Sequence, residues 1–323
     1  CIATALLAFP PEAKESVTIL VVLFIVANFS YQLALVFYDA LLPVVASEKR
    51  TGFVSGLGVG LGYAGIIFSF FILNRLETAY GICAVFVGAG VLFALFAIPL
   101  FLFVPDRRFN STVKFNINLI KNSWRELRIT EKEVRSNKRV LYFFIGNFLI
   151  VDAVNTAIVF FGVYIVNVFN YSVKQLIPVL VGLYTVAFIS GIIIGKLCDK
   201  YGSKKLYVIS SFSFITAILL CACFRNAAVT FGAVILFGGF ALSGVWTAGR
   251  KFLLDLAPKE KIGEYFGLYG LTGKLSAFGT IFFALIADYY GYRAALVSLL
   301  ATSISGLIVI ILSKEVPSVA EEN

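Results

Sequence analysis

The sequence predicts an all-α integral membrane protein, a bundle of about nine full transmembrane helices plus a clipped one, on three observations. Of 323 residues, 60 % are hydrophobic and only 14 % charged, against roughly 45–50 % and about 25 % in a typical soluble domain. The 33 Phe and 15 Tyr occur with only 8 Pro, so the apolar excess sits in long runs rather than in turn-rich segments. Those runs reach the roughly 20 residues that a helix needs to cross the hydrocarbon core. His and Met are both absent. Without His there is no His-based triad, His metal site or imidazole relay, and most hydrolase and metalloenzyme readings fall.

The segments follow in order. A clipped apolar stretch covers about residues 1–10, and full candidates run near 17–46, 52–73, 80–104, 139–169, 174–197, 204–223, 228–250, 262–287 and 291–313. Residues 17–46 and 139–169 exceed a perpendicular span, so tilt or a break is expected, with Pro43 marking a break in the first. The polar stretch 105–138 divides the chain. It separates an incomplete N-terminal half (1–104) from a six-helix C-terminal half (139–313), which ends in a short tail (314–323). The five cysteines, Cys1, Cys83, Cys198, Cys221 and Cys223, lie in or beside apolar segments and read as small packing residues rather than as a disulfide frame or metal site.

Charge sets the expected orientation. Of the 27 Lys and Arg, 21 fall on one face of the alternating spans, ten of them in 107–139. Only Lys14, Arg75, Lys174, Arg225 and Arg293 fall on the other, and Lys274 lies inside a span. The bias puts the connector and the C-terminus in the cytoplasm. It also accounts for the net charge of +9 without nucleic acid as a partner. Within the connector, Ile117, Ile120, Trp124 and Leu127 recur at three- and four-residue steps between Lys121, Arg125 and Arg128, the pattern of a helix lying on a membrane surface. Thr130 and Glu133 match a capping box for a second short helix.

Gly60-Leu61-Gly62-Tyr63-Ala64-Gly65 fits the dinucleotide fingerprint, but it lies inside a span with no strand before it. With Ser55, Gly56 and Gly58 these residues read as a face of close helix packing, and Gly58 and Gly62 are expected to lie against another helix. No cofactor is implied.

The turn from Gly195 to Lys205 carries Gly195, Asp199, Lys200, Gly202, Lys204 and Lys205. Gly195 permits close approach, Gly202 supplies a positive φ, Asp199 caps a helix or pairs with a cation, and the lysines anchor to phosphate. This string resembles the major facilitator signature G-x-L-x-D-[RK]-x-G-x-[RK]-[RK] at every fixed position. A narrower resemblance lies in Phe37-Tyr38-Asp39-Ala40-Leu41-Leu42-Pro43, in Ser55 to Tyr63, and in Gly263-Glu264-Tyr265-Phe266-Gly267-Leu268-Tyr269 with Gly273-Lys274-Leu275-Ser276-Ala277. Together these are similar to the vacuole-effluxer branch, whose fungal members are autophagy-related permeases exporting amino acids from the vacuole. Two positions depart from it: Asp39 stands where Asn is expected, and Thr280 follows Gly279 where Pro is expected. The resemblance implies a major-facilitator-type bundle of twelve helices, of which the first two and most of the third lie outside this sequence. It implies the vacuolar membrane if the source is fungal and a cell membrane otherwise.

Two ionisable residues fall near mid-bilayer, where each costs about 2.5–3.5 kcal/mol even on lenient scales. Asp152 and Lys274 lie at matched depths of about 18–20 Å in spans that start on the same side. Asn147, Asn155 and Thr156 add polarity on the Asp152 helix, and Thr272 and Ser276 flank Lys274. One reading is a buried ion pair that locks helix register. The other is a shared aqueous cavity for substrate recognition or proton coupling, in keeping with a site between two halves. The expected function is secondary transport of a small polar solute, such as an amino acid, by alternating access across the lipid bilayer, with proton or ion coupling and no enzymatic step. The competing reading is a transporter-shaped receptor or scaffold with the basic connector as its docking surface.

Overall fold

The computed structural model describes residues 1–9, 16–104, 117–275 and 277–313. The helices are α1 (Ile2–Leu6), α2 (Ser16–Ala40), α3 (Leu42–Val45), α4 (Thr51–Tyr80), α5 (Ile82–Phe103), α6 (Ile117–Ser136), α7 (Lys138–Phe169), α8 (Val173–Tyr201), α9 (Ser203–Cys223), α10 (Ala227–Ala233), α11 (Gly239–Leu256), α12 (Ile262–Leu275) and α13 (Ala277–Leu312). A π-helical turn, Val234–Gly238, joins α10 to α11.

Among the described residues, eight helical stretches are long and apolar enough to cross a membrane. The last of them, Lys259–Leu312, runs for 54 residues, about 81 Å at 1.5 Å per residue and more than twice the hydrocarbon thickness. Gly291, at φ 81°, interrupts it where two helices meet, so the stretch holds the two segments that the sequence separates at 287–291. The expected break near Pro43 is present, with α2 ending at Ala40 and Pro43 in the first turn of α3, where a missing N–H costs nothing.

Local chemistry explains the other ends. The Asn137 side chain accepts the Arg139 N–H at the start of α7, and Asn170 ends that helix in the left-handed region at φ 56°. Ser172 and Gln175 form a capping box for α8. Gly202, at φ 91°, makes the tight turn from α8 to α9, a conformation that favours glycine.

The chain forms two compact units, one of residues 1–38 and 65–122 and the other of residues 39–64 and 123–323. In the first, Tyr31 meets Phe93 and Phe68 meets Phe96 edge to face, with ring centroids 6.2 and 6.3 Å apart. Its large apolar side chains point outward, as Phe101 does at 81 % exposure, an arrangement suited to hydrocarbon as solvent. The second unit holds the main core. Phe143, Ile150, Tyr207, Phe252 and Phe266 are fully buried there, and the Phe143 and Phe252 rings cross edge to face at 4.8 Å, a geometry worth about 0.5–1.5 kcal/mol beyond area burial.

Two expectations need correction. The described part of the connector is a helix, α6, that continues through Thr130, so no capping box starts there. Thr130 donates to Glu264 and Glu133 accepts from Lys261 at 2.5 and 2.6 Å, so partners distant in sequence take both side chains. The close-packed face of α4 is also different. A Cβ at Gly56 would collide with the Gly191 carbonyl, one at Gly52 would lie 2.7 Å from the Gly195 carbonyl, and one at Gly60 would lie 2.9 Å from that of Phe188. Gly62 is exposed and meets nothing within 4 Å. Positions 52, 56 and 60 share a face, whereas 58 and 62 lie about 200° from 56 and 60. Leu at Gly56 should therefore lower the thermal midpoint of the purified chain by several degrees, an overpacking cost of about 1–3 kcal/mol. Leu at Gly62 should leave the midpoint within a degree, and equal loss in both variants would contradict the assigned face.

Candidate functional site

Asp152 is 8 % exposed on α7. The Gly279 N–H donates to its carboxylate, and both carboxylate oxygens occupy the space a Cβ at Gly279 would fill. One turn along α7, Thr156 Oγ1 lies 3.3 Å from Thr280 Oγ1. The two positions at which the vacuole-effluxer resemblance puts Gly and Pro thus both face α7, and Thr280 supplies a hydroxyl there. Asp152 Oδ1 is buried without a hydrogen-bond partner among the described residues. Such an oxygen is open to a proton or to an N–H of a bound solute.

Lys274 is exposed in the last turn of α12, and no ion pair within 4.0 Å joins it to Asp152 among the described residues. The expected direct pair is absent from this conformation because matched depth constrains position along the span but not rotation about the helix. Thr272 turns its hydroxyl onto the Tyr269 carbonyl at 2.7 Å. Asn155 is half-buried on α7. Ser276 lies outside the described residues.

Asn147 belongs to a second polar cluster. It is buried, and the Tyr207 hydroxyl donates to its Oδ1 at 2.9 Å. Gly249 makes room for this cluster, since a Cβ there would stand 2.9 Å from Tyr269 Oη and 3.2 Å from the Tyr207 ring. The next residue, Arg250, pairs with Asp39 at 3.0 Å, and each side chain is 14 % exposed. Charge counting missed this pair. Arg250 closes the span expected at 228–250, yet it lies six residues before the end of α11. Opposite charges inside two apolar helices were the available signal. Removing one partner of a buried pair alone costs about 3–5 kcal/mol.

The third group is the signature turn. Asp199 accepts the N–H groups of Gly52 and Phe53 at 2.7 and 2.8 Å, one on each carboxylate oxygen. It thereby caps the N-terminus of α4, where the helix dipole favours an anion. Lys204 donates to the carbonyls of Ile311 and Ser313, placing a cation at the opposite pole of α13. Lys196 stands 5.5 Å above the Phe53 ring, and Lys200 and Lys205 stand 5.0 and 5.9 Å from that of Tyr201. Gly195 and Gly191 of α8 receive the Gly52–Gly56–Gly60 face, and Ser55 donates to the Thr247 carbonyl at 3.2 Å.

A cavity of about 110 Å³ lies among α7, α8, α9, α11, α13 and the π-helical turn, lined by Val154, Phe160, Leu183, Ile218, Leu242 and Phe283 among others. Among the described residues, no charged side chain lines it.

The Asp152–Gly279 contact makes a coupling test. Gly279→Ala and Asp152→Ala should each lower the thermal midpoint, and Gly279→Ala should cost much less in the Asp152→Ala background, because the carboxylate it strikes is gone. Lys274→Gln should add independently to Asp152→Ala. Additivity of the first pair, or coupling of the second, would contradict the geometry.

Comparison with known proteins gives the family. The family model described as vacuole effluxer Atg22 like matches residues 2–321. The MFS-type transporter YxiO of Bacillus subtilis (strain 168) is 29 % identical over 95 % of this chain and 73 % of its own length. Autophagy-related protein 22 of Yarrowia lipolytica is 25 % identical over 73 % of this chain, which spans only 45 % of that protein. The crystal structure of the human organic anion transporter MFSD10 (TETRAN) superposes with a TM-score of 0.71 at 14 % identity, covering 96 % of this chain and 75 % of that one, a likeness that shows the fold. On this evidence the chain belongs to the Atg22-like vacuole-effluxer family of major facilitator transporters.

Proposed function

We propose that this chain moves a small polar solute, an amino acid in the first instance, by alternating access between its N-terminal segment (1–104) and a six-helix C-terminal half (139–313). The observation that carries the reading is the Asp152 carboxylate, buried in the middle of a span with Oδ1 unengaged. A buried carboxylate with one open oxygen suits the ammonium group of an amino acid or a coupled proton, and its cost in the membrane calls for such a role. Asn155, Thr156 and Thr280 supply neutral donors and acceptors on the same side. Lys274, exposed in this conformation, supplies a cation for the carboxylate of the solute when the helices rearrange.

The seam between α4 and α8 serves as the gate at the basic end of the bundle. Its elements are the apposed glycines and the Asp199 cap, and the Asp39–Arg250 pair between α2 and α11 is a third contact at that end. All three must part for that end to open. The excess of Lys and Arg there favours a cytoplasmic location for this gate.

The test is uptake of radiolabelled amino acids into proteoliposomes holding the purified chain. Wild type should show saturable flux. Asp152→Asn, which keeps shape and removes charge, should reduce flux per folded molecule by at least about tenfold, the equivalent of roughly 1.4 kcal/mol. Wild-type flux in Asp152→Asn would remove Asp152 from the transport site.

A further inference from the structure

A cleft of about 730 Å³ lies where α7 begins and α13 ends, lined by Ser136, Asn137, Lys138, Arg139, Tyr142 and Leu312. Among the described residues, two cations line it and no carboxylate does. Neither Lys138 nor Arg139 has an ion-pair partner within 4.0 Å among the described residues. The nearest acidic residues in sequence are engaged elsewhere, Glu131 with Arg135 and Glu133 with Lys261. The α7 terminus is already capped by Asn137, so the positive potential of the cleft comes from the two side chains. The cleft sits at the ends of two membrane-spanning stretches, Lys138–Phe169 and Lys259–Leu312. Beyond it, Ile145 of α7 and Ile308, Ile311 and Leu312 of α13 are exposed, which continues the cationic floor into an apolar surface.

We infer that this cleft binds the phosphate headgroup of an anionic phospholipid, with the acyl chains lying along the exposed faces of α7 and α13. Lys138 and Arg139 pair with the phosphate, Tyr142 and Ser136 offer hydroxyls to the glycerol and headgroup oxygens, and the isoleucines replace bulk lipid along the chains. The charge is complementary, the depth is that of a headgroup, and an amphiphile alone satisfies both ends. The assignment is independent of the transported solute.

The experiment is thermal unfolding of the purified chain in neutral detergent with added phosphatidylglycerol, phosphatidylcholine or inorganic phosphate. Phosphatidylglycerol should raise the midpoint by about 3 °C, and the other two should not. The Lys138→Gln/Arg139→Gln variant should lose most of that shift with its lipid-free midpoint unchanged, while Lys138→Arg/Arg139→Lys should keep it. A control that removes two exposed cations of α6, Arg128→Gln/Lys132→Gln, should respond like wild type, which separates a site from net charge. A full shift in the Gln double variant, an equal shift with phosphatidylcholine, or a shift with inorganic phosphate would overturn the lipid assignment. So would a response to phosphatidylglycerol that appears only after deletion of residues 314–323, because the acidic tail would then be the occupant.

Discussion

The structure turns on the close approach of α4 to α8. A helix leaves its first N–H groups without intrahelical partners, and where its terminus packs against a neighbouring helix the protein supplies the acceptors. Asp199 supplies two such partners from the neighbouring helix, through bonds strengthened by its charge. The contact is short in reach and needs α4 and α8 nearly backbone to backbone. Glycines at 52, 56, 60, 191 and 195 make that distance available, because dispersion between close backbones substitutes in lipid for the hydrophobic effect. The signature turn is therefore a mechanical part. Gly202 sets the angle from which α8 leaves the membrane, Asp199 holds one helix pole and Lys204 another.

The polar interior follows from the same constraint. The buried hydroxyls of Thr230, Ser243, Thr247 and Tyr269 have no hydrogen-bond partner among the described residues, while many others bond to carbonyls of their own or neighbouring helices, as Ser210, Ser211 and Ser303 do. These bonds satisfy the group and leave nothing for a ligand. Asp152 differs, because a glycine opposite leaves room for the carboxylate and one oxygen stays unengaged. The Asp39–Arg250 pair is a different solution, in which two costly charges offset each other near the seam. An apolar pair of similar volume is often as stable, so stability alone does not account for the two charges.

Much of this was legible in the sequence, and the remainder follows a pattern. Span positions rest on runs of about 20 apolar residues, and the Gly195–Lys205 motif on fixed spacing; both are local properties of the chain. What was misread required knowledge of rotation about a helix axis. Gly62 shares a helix with the packed glycines but meets nothing within 4 Å. Asp152 and Lys274 share a depth, yet Asp152 meets Gly279 of α13 while Lys274 is exposed on α12. Thr130 and Glu133 have the local spacing of a capping box, but Glu264 and Lys261 engage them across more than a hundred residues. A single sequence reports axial position through hydropathy and charge; it reports azimuth only weakly where every face of a helix is apolar.

The central claim is that the Asp199 carboxylate holds α4 against α8 at the basic end. It is tested most directly by pulsed electron paramagnetic resonance between spin labels at Lys49 and Lys200, two exposed positions flanking the contact. Wild type should give a distance distribution dominated by a short component. Asp199→Asn, which removes the charge and one of the two acceptor oxygens, should move population to a longer component. An unchanged distribution in Asp199→Asn would show that the glycine seam alone holds the helices together and that the carboxylate is not the latch.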